Sequence, residues 1–258
     1  MHIKTIVCLA NSRKPPSGRC IAGKEYSGSK LGQWIRPVSS RSSKEISEEE
    51  RRYENGRRAQ IFDIIDIPLK HPEPHYHQTE NYRIDEEYYW VRRGRVNWKQ
   101  IQSLVDQYDQ NFWTRGENTL HGHNDKIPES QAHLMQSSLK LIIPNQLKLH
   151  VLSEPGFEGR PSRKRVRAKF QYHDLEYELS VTDPEIEEMY LAKSEQYYSI
   201  PDALLCISIA EVWNGYAFRL AASIITPDRR EGYNEERNFY YWTFQSLDRK
   251  IRRSIKTQ

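Results

Sequence analysis

Short apolar runs bounded by turn residues recur along the chain. Residues 3–10 and 19–26 are the first two runs. They are rich in β-branched and small apolar side chains, which favour strands. Pro15, Pro16 and Gly18 lie between or beside these runs and favour a turn. The N-terminal segment is therefore predicted to be a β-hairpin with a basic loop.

The first half continues with two more predicted strands. Residues 33–38 alternate polar and apolar positions, and residues 60–69 carry four isoleucines, with Pro68 predicted to end the strand. Between them, the charge-dense residues 41–58 have few apolar anchors and predict a solvated helix or loop. The polar, proline-punctuated residues 71–82 predict a surface connection.

One helix signal stands out in the first half. Asn97 is a favourable N-cap, and Gln100 occupies the position that completes a capping box. Apolar side chains then recur at helical spacing, at Trp98, Ile101, Leu104, Val105 and Tyr108. Residues 112–136 follow with glycines, a proline and three histidines, and they predict a loop.

The second half is again rich in strands. The predicted runs are residues 138–143, 146–152, 163–172, 175–181, 203–212 and 216–225. The third and fourth of these runs are predicted to form a hairpin. Asn214-Gly215 between the last two is a strong hairpin signal, because both residues accept a positive φ. Asp183, followed by proline and by acids in the first turn, predicts the cap of a helix that ends near Lys193.

These patterns predict a mainly β protein of the α+β class, with two β-rich subdomains that each contain a helix. The predicted boundaries are 1–144 for the first subdomain, 145–225 for the second, and 226–258 for a linker and a basic amphipathic helix. No internal repeat is apparent in the sequence. The apolar stripe of the last helix predicts a surface that binds a protein partner, with the residues Phe244, Leu247, Ile251 and Ile255.

Composition agrees with a β-rich globular protein, since 37% of the residues are hydrophobic and 11% are aromatic. The net charge is +4, and residues 246–258 alone carry five Lys or Arg against one Asp. The rest of the chain is neutral overall, so a binding site for nucleic acid has to rest on local clusters of cations.

Three cysteines, Cys8, Cys20 and Cys206, each lie in an apolar strand-like run. Their odd number and wide spacing favour buried free thiols in a reducing compartment. No N-terminal signal pattern is present, and no apolar run approaches the roughly 20 residues that span a bilayer. The sequence therefore predicts a soluble cytoplasmic protein that does not bind membranes through a spanning segment.

Catalytic signatures are weak throughout. His71, His75 and His77 form one histidine group and His121 and His123 form another, but their spacing matches no familiar metal motif. The sequence contains no G-x-S-x-G elbow, no phosphate-binding P-loop and no dinucleotide-binding glycine pattern. We therefore predict no catalytic residue, no cofactor and no metal.

Carboxylates leave a nuclease open as an alternative. Asp63, Asp66, Asp85, Glu86 and Glu87 are the acids that a two-metal site would need. However, Asp63 and Asp66 differ by three positions and would point to opposite faces of a strand.

Clusters of cations carry a stronger signal. One borders the first hairpin, and a second follows residues 163–172, where alternation puts the cations on one face of a strand and apolar residues on the other. A strip of cations on a sheet is suited to the backbone of a nucleic acid. The predicted nucleic-acid-binding residues are Arg13, Lys14, Arg19, Trp34, Arg36, Arg163, Arg165, Arg167 and Lys169. The alternative for the strip is a solvated outer strand face.

The strings CLANSRK, GRCIAGKE and GQWIRPVS near the start, together with LLCISIAEVW-NG-YAFRLAASII, resemble the bacterial dual OB-containing domain family over residues 3–225. The resemblance implies two small OB-like β-barrels and a role on nucleic acid in defence or mobile-element systems. It brings no established chemistry. Residues 226–258 lie outside it.

The resulting hypothesis is a nucleic-acid-binding accessory subunit, for single-stranded DNA or RNA, of a bacterial defence or mobile-element system, with a protein partner in a multi-subunit complex. Two alternatives stay open. One is a metal-dependent nuclease or base-modifying enzyme that uses the histidine loops. The other is an interaction scaffold that docks through its C-terminal helix. For Arg36 in particular, the sequence allows either a ligand contact or a bracing contact within the first barrel.

Overall fold

The fold was analysed in a computed structural model, which describes residues 2–27, 30–155, 161–231 and 252–254. The mainly β prediction is confirmed, because fourteen strands in two sheets make up most of the regular structure of these residues. Within the same residues, no helix combines the length and the apolar character that crossing a bilayer requires.

The first sheet has six strands. They are β1 (His2–Lys14), β2 (Gly18–Ser27), β3 (Lys30–Val38), β4 (Asp63–Pro72), β5 (Asn81–Ile84) and β6 (Val91–Arg95). Their order is β1-β2-β3-β5-β4-β6, and β4 also pairs with β1. β1, β2, β3 and β5 therefore have two neighbours each, and β4 has three. All of their pairings are antiparallel except β3 with β5, which is parallel.

The second sheet has eight strands. They are β7 (Lys126–Pro128), β8 (Leu139–Ile142), β9 (Asn145–Glu154), β10 (Arg163–Tyr172), β11 (Leu175–Val181), β12 (Tyr197–Ser199), β13 (Leu204–Ile209) and β14 (Tyr216–Ile225). Their order is β12-β9-β10-β11-β14-β13-β8, with β7 on β14. Both predicted hairpins of this half are confirmed, and Asn214 and Gly215 take φ values of 50° and 77° between β13 and β14.

The two sheets repeat one topology that the sequence does not reveal. The order β1-β2-β3-β5-β4 in the first sheet corresponds to β9-β10-β11-β14-β13 in the second. The corresponding pairings β3–β5 and β11–β14 are both parallel. In the second sheet β8 pairs with β13, and β9 begins three residues after β8 ends. β1 pairs with both β2 and β4. In the second sheet these two pairings are divided, because β9 pairs with β10 and β8 pairs with β13.

The described residues also contain four short helices: α1 (Trp98–Gln102), α2 (Glu129–Ala132), α3 (Pro184–Leu191) and, after the last strand, α4 (Asp228–Glu231). The capping box at α1 is confirmed, because the Asn97 side chain accepts a hydrogen bond from the Gln100 backbone N–H at 2.8 Å. The helix ends at Gln102, earlier than the apolar stripe predicts, yet Leu104 beyond it is still buried.

Helix α3 begins where predicted, but Asp183 does not cap it through its side chain. The Asp183 carboxylate instead accepts a hydrogen bond from the Ile224 N–H at 3.1 Å and pairs with Arg229 at 2.5 Å. Burial alone would lower the pKa of Arg229, but Asp183 and Glu185 outweigh it and raise that pKa. The hydrogen bond connects the end of β14 to the start of α3, and the ion pair connects α4 to the same place.

A shared core joins the two sheets. One buried cluster combines Leu9 and Trp34 of the first sheet with Leu139, Leu204 and Cys206 of the second. Each sheet also has an apolar cluster of its own. The two β-rich halves therefore pack against each other over apolar side chains, and such burial contributes roughly 25 cal/mol per Å² of apolar surface.

The free thiols match the prediction, since none of the three cysteines forms a disulfide. Cys8 and Cys206 are fully buried, and Cys20 is partly buried. Burial raises the pKa of Cys8 and of Cys206, so both remain protonated thiols.

The prediction of a solvated segment at residues 41–58 is wrong. Ile46 and Tyr53 are buried in the first core, and the charged side chains between them pair with one another. Glu48, for example, lies 2.6 Å from Arg51 and 2.9 Å from Arg58. Because the acids and the arginines neutralise each other, the segment packs without an amphipathic helix.

Two smaller expectations in this half also fail. β4 continues beyond Pro68 to Pro72, because the carbonyl of Pro68 still accepts a hydrogen bond, from the Asp85 N–H at 2.9 Å. Part of residues 71–82 is buried, including His77 and Asn81, where a surface connection was predicted. The loop predicted at residues 112–136 contains β7 and α2.

The strands of the two sheets do not divide at the predicted domain boundary. The second sheet includes β7 and β8, which precede residue 144. The division at residue 144 stays a prediction. Of the predicted C-terminal helix, the residues Phe244, Leu247, Ile251 and Ile255 lie outside the described residues. Residues 252–254 return to the first half, where the Arg253 N–H donates to the Glu87 carbonyl at 2.7 Å.

Candidate nucleic-acid interface

Alternation along β10 separates two sets of side chains. Val166, Ala168 and Phe170 are buried in the core of the second sheet. The intervening positions form the outward face, with Arg163 exposed, Arg165 and Lys169 partly exposed, and Arg167 buried by its neighbours. The predicted arrangement of cations on one strand face is confirmed.

Neighbouring strands extend this face with further cations and two rings. Across β9 and β10, Lys148 lies opposite Lys169 and His150 lies opposite Arg167. Tyr197 of β12 lies opposite His150, and the two rings stack with centroids 4.0 Å apart and planes 18° from parallel. Tyr197 remains 49% exposed. We call this surface the cationic face. Its residues are Lys148, His150, Arg163, Arg165, Arg167, Lys169 and Tyr197.

Acidic side chains neutralise part of the cationic face. Lys169 lies 3.1 Å from Glu176, Arg167 lies 2.6 Å from Glu154, and His150 lies 2.8 Å from Glu178. The hydrogen bond to Glu176 raises the pKa of Lys169.

Three cations on the cationic face, Lys148, Arg163 and Arg165, form no ion pair with any described residue. Asp125 lies 3.7 Å from Arg167 as a fourth acid, and with five cations against four acids the surface is still net positive. Unpaired cations beside an exposed ring provide both the charge and the stacking that single strands require.

The predicted cations of the first hairpin have a different environment. Arg13 lies 2.5 Å from Glu187, and Lys14 lies 3.0 Å from Glu211. Both acids belong to the second half of the chain, so these cations contribute to the contact between the two halves. Arg19 stays within the first half, 3.6 Å from Glu48.

Trp34 lies at the same contact between the halves. Its side chain is buried, and its indole Nε1–H donates to Asp106 at 3.1 Å. The Lys24 ammonium donates to the same carboxylate at 2.7 Å and lies 5.6 Å from the Trp34 ring. This ring has no face open for a base in the structure.

Arg36 is the centre of a buried polar network. Its Nη2 donates to the hydroxyls of Ser138 at 2.7 Å and Ser208 at 3.3 Å, and it lies 3.2 Å from a carboxylate oxygen of Glu80. Glu80 in turn accepts hydrogen bonds from the Ser138 N–H, at 3.2 Å, and from the Ser138 hydroxyl. Arg36 is 2% exposed. The geometry therefore favours the bracing alternative over a direct ligand contact.

Histidines do not converge in the described residues, which contain no group of three or more His, Cys, Asp or Glu arranged to hold a metal ion. His77 lies in the segment 71–82, for which the prediction of a surface connection is wrong at this residue. His77 is buried, and its Nε2–H donates to the Ala210 carbonyl at 2.9 Å. This hydrogen bond again connects the two halves.

Acidification is expected to destabilise the protein through His77. Burial lowers the pKa of His77, and its buried Nδ1 has no hydrogen-bond partner. The folded protein therefore favours the neutral imidazole, whereas the unfolded chain binds a proton near pH 6.5. Because the unfolded state binds more protons below that pH, the unfolding free energy falls as the pH drops through it.

Urea unfolding at pH 7.5 and pH 5.5 measures this effect. His77→Gln keeps an amide donor for Ala210 but does not titrate, so it should show a smaller loss of stability on acidification. An equal loss in the variant and the wild type would contradict the assignment.

Two of the five acids considered for a nuclease, Asp63 and Asp66, pair with arginines. Asp63 lies 3.3 Å from both Arg92 and Arg95, and burial raises the pKa of Asp63. Asp66 lies 2.6 Å from Arg93. Both aspartates therefore belong to ion pairs along β4 and β6.

Sequence reasoning missed three members of the cationic face. Lys148 and His150 occupy polar positions of the predicted strand 146–152, so alternation alone could have indicated them. Tyr197 had no such signal, because β12 has only three residues and is defined by its pairing with β9.

Comparison with known proteins agrees with the topology. A family model described as a dual OB-containing domain matches residues 4–224. The resemblance identified over residues 3–225 is thereby confirmed as far as the family is concerned. No curated protein and no solved structure matches the chain significantly.

Proposed function

The chain belongs to the dual OB-containing domain family, and from that premise we propose that it binds single-stranded nucleic acid through the cationic face. OB folds bind oligonucleotides on the face of their second and third strands and on the adjoining loops. In the order shared by the two sheets, β10 and β11 are the second and third strands of the second half. In this proposal each half corresponds to one OB-like β-barrel.

One observation carries the proposal. The stacked pair of His150 and the exposed Tyr197 lies on the same face as the unpaired Lys148 and Arg165. An exposed ring offers a platform on which a base can stack, worth about 1–3 kcal/mol per base. The cations bind phosphates without reading the sequence. The arrangement suits an unpaired strand, whose bases are free to stack.

Fluorescence anisotropy tests the proposal with single-stranded DNA, single-stranded RNA and duplex at two salt concentrations. The single strands should bind more tightly than the duplex. Three engaged cations would give a slope of log K against log[salt] of roughly −2, from about −0.7 for each phosphate neutralised on a single strand. Binding that is absent at micromolar protein, or that does not change with salt, would overturn the proposal.

The resemblance extends this proposal to an accessory subunit of a bacterial defence or mobile-element system with a protein partner. This wider role stays a prediction, as do DNA or RNA preference and the contribution of the predicted C-terminal helix.

A further inference from the structure

A cavity of about 320 Å³ lies beside the cationic face. It is lined by Ser180 of β11, by Phe218 and Leu220 of β14, by Arg167, and by Leu120, His121 and Asp125 from a loop of residues 119–125. Ser180 lies opposite Arg167 in the pairing of β10 with β11, so the cavity is continuous with the proposed binding surface.

Arg167 lines this cavity and has one donor that makes no hydrogen bond. Its side chain is 7% exposed, and its Nε donates to Glu154 at 2.6 Å. Its Nη1 is buried without a hydrogen-bond partner and lies 3.7 Å from a carboxylate oxygen of Asp125. A buried donor left without an acceptor is costly. An acceptor brought by a ligand would remove that cost.

Hydrogen bonds hold the loop of residues 119–125, which contributes to the lining of the cavity, in a fixed shape. The Asp125 carboxylate accepts hydrogen bonds from the Thr119 N–H at 2.8 Å and from the Thr119 hydroxyl at 2.6 Å. The Gly122 N–H donates to the same hydroxyl at 2.9 Å, and a Cβ at Gly122 would lie 1.7 Å from the Asp125 carboxylate. This loop presents Leu120 beside the cavity with 86% of its surface exposed.

His121 adds a second unused polar group. Its Nε2 is buried and has no hydrogen-bond partner. The lining thus combines the apolar side chains of Leu120, Phe218 and Leu220 with polar and charged ones. Ligand sites use apolar side chains for contact area and polar groups to fix orientation.

We infer that this cavity receives one nucleobase of the bound strand, held between Leu120 and Phe218, with a carbonyl oxygen of the base accepting from Arg167. The inference rests on the proposed function and makes it more specific. Guanine carries the O6 acceptor at the position where adenine carries an amino donor, so guanine suits the Arg167 donor better than adenine does.

The inference is tested by the affinity for three 12-mers that are adenine at every position except the central one. The central position carries guanine, adenine or an abasic site, and each strand is made as DNA and as RNA. We expect the guanine strand to bind about fivefold more tightly than the other two. Leu120→Ser changes an exposed position, and Ser180→Phe places a larger side chain in the lining. Each variant should lower the affinity for the guanine strand to that for the abasic strand. Leu134→Ser is the matched control, because Leu134 is 65% exposed and does not line the cavity.

Thermal unfolding of each variant separates loss of binding from loss of fold, and Leu120→Ser alone carries the test if Ser180→Phe does not fold. If all three strands bind equally and the variants change nothing, the inference is overturned while the proposed function stands. If no strand binds, the proposed function fails, and the cavity is then tested alone by an NMR titration with guanosine 5′-monophosphate. Chemical-shift changes that are lost in Leu120→Ser would support a base-binding cavity for a free nucleotide. The absence of such changes would overturn the inference.

Discussion

Replacing Arg36 by alanine is expected to lower the unfolding free energy by about 3–5 kcal/mol. The side chains of Arg36 and Glu80 are each only 3% exposed, and Arg36 also donates to Ser138, just before β8, and to Ser208 of β13. Removal of the guanidinium would leave the Glu80 carboxylate buried without a cation. It would also remove a polar contact between the two halves.

Urea unfolding measures this loss, and the affinity for a single strand should be unchanged under conditions where the variant is folded. The double variant Arg36→Ala/Glu80→Ala should lose less stability than the sum of the single variants, because neither charge is then left alone. Lys70→Ala is the control, since Lys70 and Glu86 form an exposed pair at 3.4 Å, and such pairs contribute at most about 1 kcal/mol. A loss of affinity without a loss of stability would instead assign Arg36 to the ligand.

Combined substitution of Arg165 and Tyr197 by alanine is the second large effect we expect. Loss of the ring should cost about 1–3 kcal/mol of binding free energy, which alone corresponds to roughly a 5- to 150-fold weaker affinity. Loss of Arg165 should reduce the magnitude of the salt slope by about 0.7. The two terms differ in kind, because stacking depends little on salt whereas phosphate binding depends on it strongly.

Anisotropy at several salt concentrations distinguishes the single variants. Tyr197→Ala should weaken binding at every salt concentration and leave the slope unchanged, whereas Arg165→Ala should change the slope. Tyr76→Ala is a matched control for the ring, because Tyr76 is 65% exposed and stacks on His133 at 5.3 Å, away from the cationic face. Equal effects of Tyr76→Ala and Tyr197→Ala would show that the cationic face is not the binding surface.

Local sequence determined the parts of this protein in which the chain interacts with its near neighbours. The hairpin turn at Asn214-Gly215, the capping box of Asn97 and Gln100, and the alternation along β10 all follow from side chains within a few residues of one another. Such contacts form without the rest of the fold, so turn chemistry and periodicity predict them.

Tertiary structure decided which of the predicted binding residues share a surface. Arg13, Lys14 and Trp34 look like ligand-binding residues in the sequence, but their acidic partners Glu187, Glu211 and Asp106 lie far along the chain. A cation that has found such a partner contributes to packing. Pattern alone cannot distinguish it from a free cation, because the partner appears only when distant strands pair.

The sequence by itself therefore determined the β-rich class, the hairpins and the outward row of cations on β10. Only the fold determined the repeated strand order, because the parallel pairings β3–β5 and β11–β14 join strands that are distant in sequence. It also brought Tyr197 onto His150 and the loop of Leu120 beside Arg167. These contacts depend on sheet register and loop closure over tens of residues, which no local pattern of side chains encodes.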